Sequence, residues 1–539
     1  MNKRVQNFLR DTNTWSIFLL AIVLFVAIPI ITIFVNLFKG PGETWNHLVA
    51  NLLPNYLFNS LWLILGTSVL TLFFGVASAW IVSRYHIPLR KPLEWLLILP
   101  LAIPSYITAY AYAGIFDYGG MLENILHIKI DIMNMYGLVF VLSFSLYPYV
   151  YLSSRAFFLN QSANIIEASK LLGASERKTF FKLMLPLARP AFIAGLVLVL
   201  MEVLNDYGAA KYYGINTFTT GIFRAWFSLE EPETAIYLSA ILVAIIFVLI
   251  SLEKWQRKRI GYFNSVKNHQ KVQREHLTGS TKIFFFIIVC IPVLFGFILP
   301  VLQLIYWAFL TFKEVFTLNF VSLSLQSLGI ALLAAFSTVL MALCILFVSK
   351  WNRLAFLKPI VKISVLGYAI PGAVIAIGIL IPAIFLDKWF IAFFKNIFDL
   401  KIGFILNGTL MALVYAYMVR FLAVAYGSIE ASSLKLGASL SEASKLLGSG
   451  HIATFRKIEF PLLKPAIFSA FMLVFVDVMK ELPLTLILKP YAVNTLAVKA
   501  YEYASDELIA EAALPSLCIV VVGILPVIFL NRLISKERS

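Results

Sequence analysis

The chain has 539 residues, of which 60% are hydrophobic and only 13% charged, with a formal net charge of +16. So few charges cannot cover a soluble globular surface, so the composition is that of a membrane protein. The positive balance does not indicate nucleic-acid binding, because the basic residues fall in short segments between apolar runs, where membrane topology and anionic headgroups account for them.

The opening MNKRVQNFLRDTNTW has the basic character of a secretory signal. The apolar run behind it, residues 16–38, is too long for one and shows no small-residue cleavage site, so it is read as a retained first span. Runs of the roughly 20 apolar residues needed to cross a bilayer recur at residues 58–82 and 93–116 and onward, and the last six begin near Ile283, Leu325, Ile363, Gly408, Ala466 and Ile509. Barrel strands alternate in hydrophobicity and would not give unbroken runs. The expected fold is an all-α polytopic membrane protein with about 12 transmembrane helices.

Lysine and arginine set the expected orientation, since cytoplasmic loops collect positive charge. Arg84, Arg90 and Lys91 lie in one such loop, Lys170, Arg177, Lys178, Lys182 and Arg189 in a second, and Arg532, Lys536 and Arg538 in the tail. All belong on one side, which places both termini in the cytoplasm. A polar stretch at 254–282, KWQRKRIGYFNSVKNHQKVQREHLTGSTK, separates the sixth and seventh spans and reads as a cytoplasmic linker. It divides the chain into a first unit, 1–253, and a second, 283–539.

The two units are copies. EASKLLG occurs at 167–173 and again 275 positions later at 442–448, and the same offset pairs Thr179 with Thr454, Phe180 with Phe455, Lys182 with Lys457, Pro186 with Pro461 and Pro190 with Pro465. An offset of 267 lays Asn59-Ser60-Leu61 near Gln326-Ser327-Leu328 and Ile103-Pro104 on Ile370-Pro371. One six-span unit is duplicated and fused, which implies a pseudo-twofold axis along the membrane normal.

Each repeated motif predicts an elbow. Residues 167–172 are good helix formers, Gly173 can stop the helix in a left-handed conformation, and Ser175 can cap the next helix. That second helix carries Phe180, Leu183 and Leu185 and is expected to end at Pro186, with Pro190 breaking the chain again. A related stretch, EASSLKLGAS at 430–439, lacks the following Phe and paired prolines and reads as part of the preceding helix. Two compact amphipathic elbows on one face are knobs awaiting a socket.

Both elbows resemble the EAA loop of permease subunits of binding-protein-dependent ABC importers. That resemblance implies that Glu167, Ala168, Gly173, Phe180, Pro186 and Pro190 form one ATPase-docking loop, and Glu442, Ala443, Gly448, Phe455, Pro461 and Pro465 the other. Ser169 and Ser444 replace the alanine usual at the third position. The chain holds no G-x-x-x-x-G-K-[ST] phosphate loop. The implied partners are therefore a homodimer of a separate ATP-binding subunit on the cytoplasmic side, a periplasmic or extracellular substrate-binding protein, and membrane lipids. The implied setting is the bacterial inner membrane, and the implied mechanism is alternating access.

Fused double permeases resemble importers of ferric iron, thiamine, or phosphonates and related anions. DVMKELPLTLILKP, at 477–490, resembles the K/R-E-L-P-x-T-L segment of ferric-iron permeases, and EVLNDYGAAKYYG, at 202–214, resembles the acidic D-[FY]-G stretch of the same group. Glu202 with Asp206, and Asp477 with Glu481, stand at i and i+4 and should share a helix face. Ionisable groups at that depth line a pathway, or else Lys480 neutralises Asp477 or Glu481 and the cluster welds the halves together; the sequence leaves both open.

A secondary transporter would have no use for docking elbows. A polytopic enzyme would need clustered catalytic or metal-binding residues, whereas the six histidines are scattered and Cys290, Cys344 and Cys518 lie in apolar segments as small hydrophobes. No catalytic residue, cofactor site or closed set of metal ligands is expected, and the protein is read as a non-enzyme.

Overall fold

The computed structural model describes every residue except 1–13, 118–119, 121–122, 124–126, 128, 161–168, 170, 260–273, 352–356, 438 and 537–539. Glu167, Ala168 and residues 260–273 of the linker lie outside the described residues. Among the described residues, ten helices are long and apolar enough to cross a membrane, and a bent pair makes an eleventh span. Helix Ala513–Lys536 takes the twelfth place in the order. The protein is an all-α membrane protein of two tandem units.

Three sequence expectations are corrected by this arrangement. The third span is not one rod: helices Arg90–Ala102 and Ser105–Phe116 meet at 97°. Pro104 excludes the helical conformation at Ile103, which is extended (φ −100°, ψ 119°). The duplicated Ile370-Pro371 does the same in the second unit, where helix Gly372–Phe398 starts afresh behind Pro371 (ψ 141°).

The second elbow helix does not end at Pro186, nor does Pro190 break the chain. It runs on as the fifth span, Glu176–Asn205, and its copy is His451–Lys480. In both units a wide π-helical turn, Thr179–Met184 or Phe455–Glu459, ends one residue short of the first proline. The wider turn absorbs the missing N–H and the ring of Pro186 and Pro461 within a continuous helix.

The halves also interlock. The first span of the first unit, Thr14–Asn36, packs on Gly372–Phe398 of the second, and helix Leu299–Val315, within the first span of the second unit, packs on Ser105–Phe116 of the first. Glycines permit these close crossings. A Cβ at Gly378 would lie 2.4 Å from the Pro29 carbonyl oxygen, and one at Gly114 would lie 2.2 Å from the Trp307 ring. A two-residue parallel bridge adds a tie between units: Tyr85 and His86 pair with Glu275 and His276, whose linker segment also forms an ion pair with Arg84.

Candidate functional site: two elbows and a central polar cavity

The elbows close as the sequence predicts. Gly173 (φ +75°) and Gly448 (φ +84°) both adopt the left-handed conformation. The Ala174 N–H donates to the Ser169 carbonyl at 3.0 Å, and the Ser449 N–H to the Ser444 carbonyl at 3.1 Å, the six-to-one bond of a Schellman cap. Ser175 caps the next helix by accepting from the Lys178 N–H at 3.4 Å. The serines that depart from the usual alanine have a structural role: Ser169 Oγ lies 3.0 Å from Thr179 Oγ1, and Ser444 Oγ 3.0 Å from Thr454 Oγ1, so one hydroxyl pair pins each elbow shut.

Within each elbow the side chains divide into anchors and a free tip. Phe180 packs against Trp80 with ring centroids 5.2 Å apart, and Phe455 against Phe347 at 4.0 Å, fixing each elbow to the second span of its own unit. Leu171 and Leu172 are 89% and 87% exposed, as are Leu446 and Leu447. Two bare leucine pairs at the turns are apolar tips in search of a groove. Glu442 and Ala443 are exposed on the same helix, Ser439–Leu446.

At the other end of each fifth span lies a cavity of about 120 Å³ between the units. It gathers all five polar residues singled out in the sequence, Glu202, Asp206, Asp477, Lys480 and Glu481, together with Tyr149, Tyr368 and Arg420. Glu202, Asn205 and Asp206 correspond at the 275-residue offset to Asp477, Lys480 and Glu481. Four carboxylates therefore face two cations.

Helix Leu185–Asn205 stops at Asp206 (φ −65°, ψ 122°) and helix Phe460–Lys480 at Glu481 (φ −71°, ψ 121°); φ is still helical at both, so each acidic pair keeps its i, i+4 relation and both members line the cavity. Asp206 and Glu481 also hold the start of the next short helix. Asp206 accepts from the Ala210 N–H at 3.0 Å and from Ser105 Oγ at 2.5 Å, and Glu481 accepts from the Leu484 N–H at 3.1 Å. Such bonds satisfy helix-start N–H groups that would otherwise be orphaned in the membrane.

The cation for Glu481 is Arg420, not Lys480. Arg420 Nε lies 3.2 Å from Glu481 Oε2, with both side chains only 6% exposed, while Lys480 pairs with Asp477 at 3.3 Å. Several contacts cross between the units here. Arg420 Nη1 donates to Asn205 Oδ1 at 3.3 Å, the Gly372 N–H to the same oxygen at 2.9 Å, Tyr368 to Glu202 at 2.9 Å, and Lys480 to the Leu101 carbonyl at 3.2 Å. Sequence reading missed Arg420, Tyr368 and Asn205. A lone arginine inside the apolar run of Leu410–Leu436 was the available signal for the first.

Residues 71–262 match the family described as binding-protein-dependent transport system inner membrane component. The chain is 26% identical over 491 residues to Fe(3+)-transport system permease protein FbpB 2 of Haemophilus influenzae, a match that covers 88% of this chain and 89% of that protein. It is also 29% identical over 194 residues to the sulfate transport system permease protein CysT of Escherichia coli, covering 34% of this chain and 70% of that one. CysW of the same organism is 29% identical over 214 residues, covering 38% of this chain and 72% of that protein. The sulfate permeases match a single unit's length, the iron permease both. With two spanning units, two elbows and a polar cavity between them, the chain resembles a fused double permease of a binding-protein-dependent importer, and over most of its length it is similar to a ferric-iron permease.

Proposed function

We propose that this permease imports ferric iron by alternating access, with two copies of a separate ATP-binding subunit docked at the elbows and a substrate-binding protein on the opposite face. Both termini, the elbows and the linker lie in the cytoplasm in this reading. The observation that carries it is the continuity of each fifth span. One end of Glu176–Asn205 bears an elbow and the other bears Glu202 with Asp206 adjoining, and His451–Lys480 repeats the pattern with Asp477 and Glu481.

A helix of 30 residues is about 45 Å long, enough to carry motion from the cytoplasmic face to the cavity. Closure of the ATPase pair moves both elbows, and the helices transmit that displacement to the acidic groups. The contacts through Asn205, Tyr368 and Lys480 then part, and the cavity changes the side to which it opens. Leu171, Leu172, Leu446 and Leu447 seat in grooves of the ATPase, while Phe180 and Phe455 couple each elbow to its span. The four carboxylates outnumber Arg420 and Lys480, so the cavity favours a cationic cargo.

A second reading has its own support: sulfate permeases are among the relatives, and Arg420 and Lys480 offer donors to an oxyanion. Proteoliposomes containing the permease, its ATPase and its binding protein decide between them. ATP-dependent accumulation of radiolabelled iron, with none of sulfate, thiamine or phosphonate, is the expected result; accumulation of sulfate without iron refutes the proposal.

A further inference from the structure

The duplication lets the two sides of the cavity be compared position by position. On the fourth span, residue 145 of the first unit corresponds to residue 420 of the second at the 275-residue offset. Just past the break of the third span, residue 105 corresponds to residue 372 at the 267-residue offset that aligns the Ile-Pro pairs. In the second unit these positions are Arg420 and Gly372. Arg420 neutralises Glu481, and the glycine leaves it room, since a Cβ there would lie 2.2 Å from Arg420 Nη1 and 2.6 Å from Glu481 Oε1.

The first unit has Ser145 and Ser105 at the same positions. Asp206, the image of Glu481, receives the Ser105 hydroxyl at 2.5 Å, and among the described residues it forms no ion pair with a lysine or arginine. Ser145 is 2% exposed and lines the cavity, yet among the described residues its hydroxyl has no hydrogen-bond partner. One half of the cavity thus carries its own positive charge, and the image position in the other half carries none. A buried hydroxyl without a protein partner is completed by ordered water or by an ion, and on a cavity wall it is a donor group open to either.

Resting on the cationic reading above, we infer that Asp206, Ser105 and Ser145 form the cargo subsite, and that it takes a hard metal cation. The Arg420 guanidinium is the resident counter-charge at its image. All three groups offer oxygen, the donor that suits hard cations. One carboxylate and two hydroxyls make an incomplete shell, and among the described residues no three His, Cys, Asp or Glu side chains converge to complete it. The remaining positions fall to water, which fits an ion in transit rather than one stored.

Terbium(III), a hard trivalent ion whose emission is sensitised by nearby tyrosine, probes the subsite in the purified permease without transport. Three proteins are compared: wild type, Asp206→Asn, and Ser105→Gly with Ser145→Arg, which copies the second unit's arrangement into the first. Gel filtration with the ATPase subunit checks assembly, and the near-isosteric Asp206→Asn remains informative if the double variant fails to fold. Loss of sensitised emission in the variants, with ATP-dependent iron uptake reduced to the level without ATP, is the expected result. Emission unchanged in assembled Asp206→Asn overturns the subsite, and emission lost with iron uptake intact overturns its role in carrying cargo. Failure of the functional reading is told apart because it shows in the wild-type complex, as sulfate uptake in place of iron.

Discussion

Replacing Arg420 with methionine tests whether the cavity is held shut by charge. The substitution keeps an apolar side chain of similar length but leaves the Glu481 carboxylate, on a side chain 6% exposed, with only the Leu484 N–H of its two close polar partners. Breaking a buried ion pair from one side costs about 3–5 kcal/mol, because the remaining charge stays desolvated. Lys480→Met should cost less, about 1 kcal/mol or below, since the Lys480–Asp477 pair is 22% and 24% exposed and partly screened. Heating the detergent-solubilised permease and following the folded fraction by gel filtration reads the difference. Arg420→Met should melt well below wild type, Lys480→Met close to it, and Arg420→Met with Glu481→Leu should recover most of the loss, because apolar replacement of a whole buried pair is often neutral. Arg420→Met as stable as wild type, or a double variant less stable than the single one, would refute the reasoning. Lys480→Met in place of Arg420→Met should not rescue Glu481→Leu.

Gly173→Val and Gly448→Val should reduce ATPase association and transport while insertion survives. A Cβ at either position meets nothing within 4 Å, so the defect is the left-handed backbone itself, worth about 1–2 kcal/mol, and Gly→Asn at the same positions should be better tolerated. Changing Leu171 and Leu172, or Leu446 and Leu447, to serine should leave stability unchanged but weaken co-purification with the ATPase; undiminished co-purification of the quadruple variant counts against docking through the tips. Glu231 accepts from the Thr44 hydroxyl at 2.5 Å and the Thr234 hydroxyl at 2.7 Å, and these bonds hold its carboxyl below the usual range. A depressed folded-state value means the stabilisation is present above the unfolded carboxyl's value and is lost as pH falls through the folded one. Wild type should therefore melt above Glu231→Gln at neutral pH, and the gap should close on acidification; a pH-independent gap would contradict this assignment.

The sequence by itself determined the membrane class, the duplication and the local turns. Hydropathy is a sum over about 20 residues and survives any packing, and a seven-residue repeat at one offset needs no structure to be seen. Gly173 and Gly448 were legible because a left-handed cap is a property of the backbone at one residue. The same local logic failed where two local rules competed: Pro186 and Pro461 suggested helix ends, but a π-helical turn ahead of each proline kept the fifth spans continuous. The i, i+4 spacing brings each acidic pair to one cavity, but it does not reveal that Asp206 and Glu481 also hold the start of the next short helix, because that bond depends on where the helix ends. Only the tertiary structure decided what meets across the two units. Arg420 meets Glu481 of its own unit and, 215 residues away, Asn205 of the other, and the exchange of first spans brings together Pro29 with Gly378 and Gly114 with Trp307. No periodicity encodes such pairs, because burying a charge in a membrane fixes only that it must find a partner, and the packing of helices remote in sequence fixes which one.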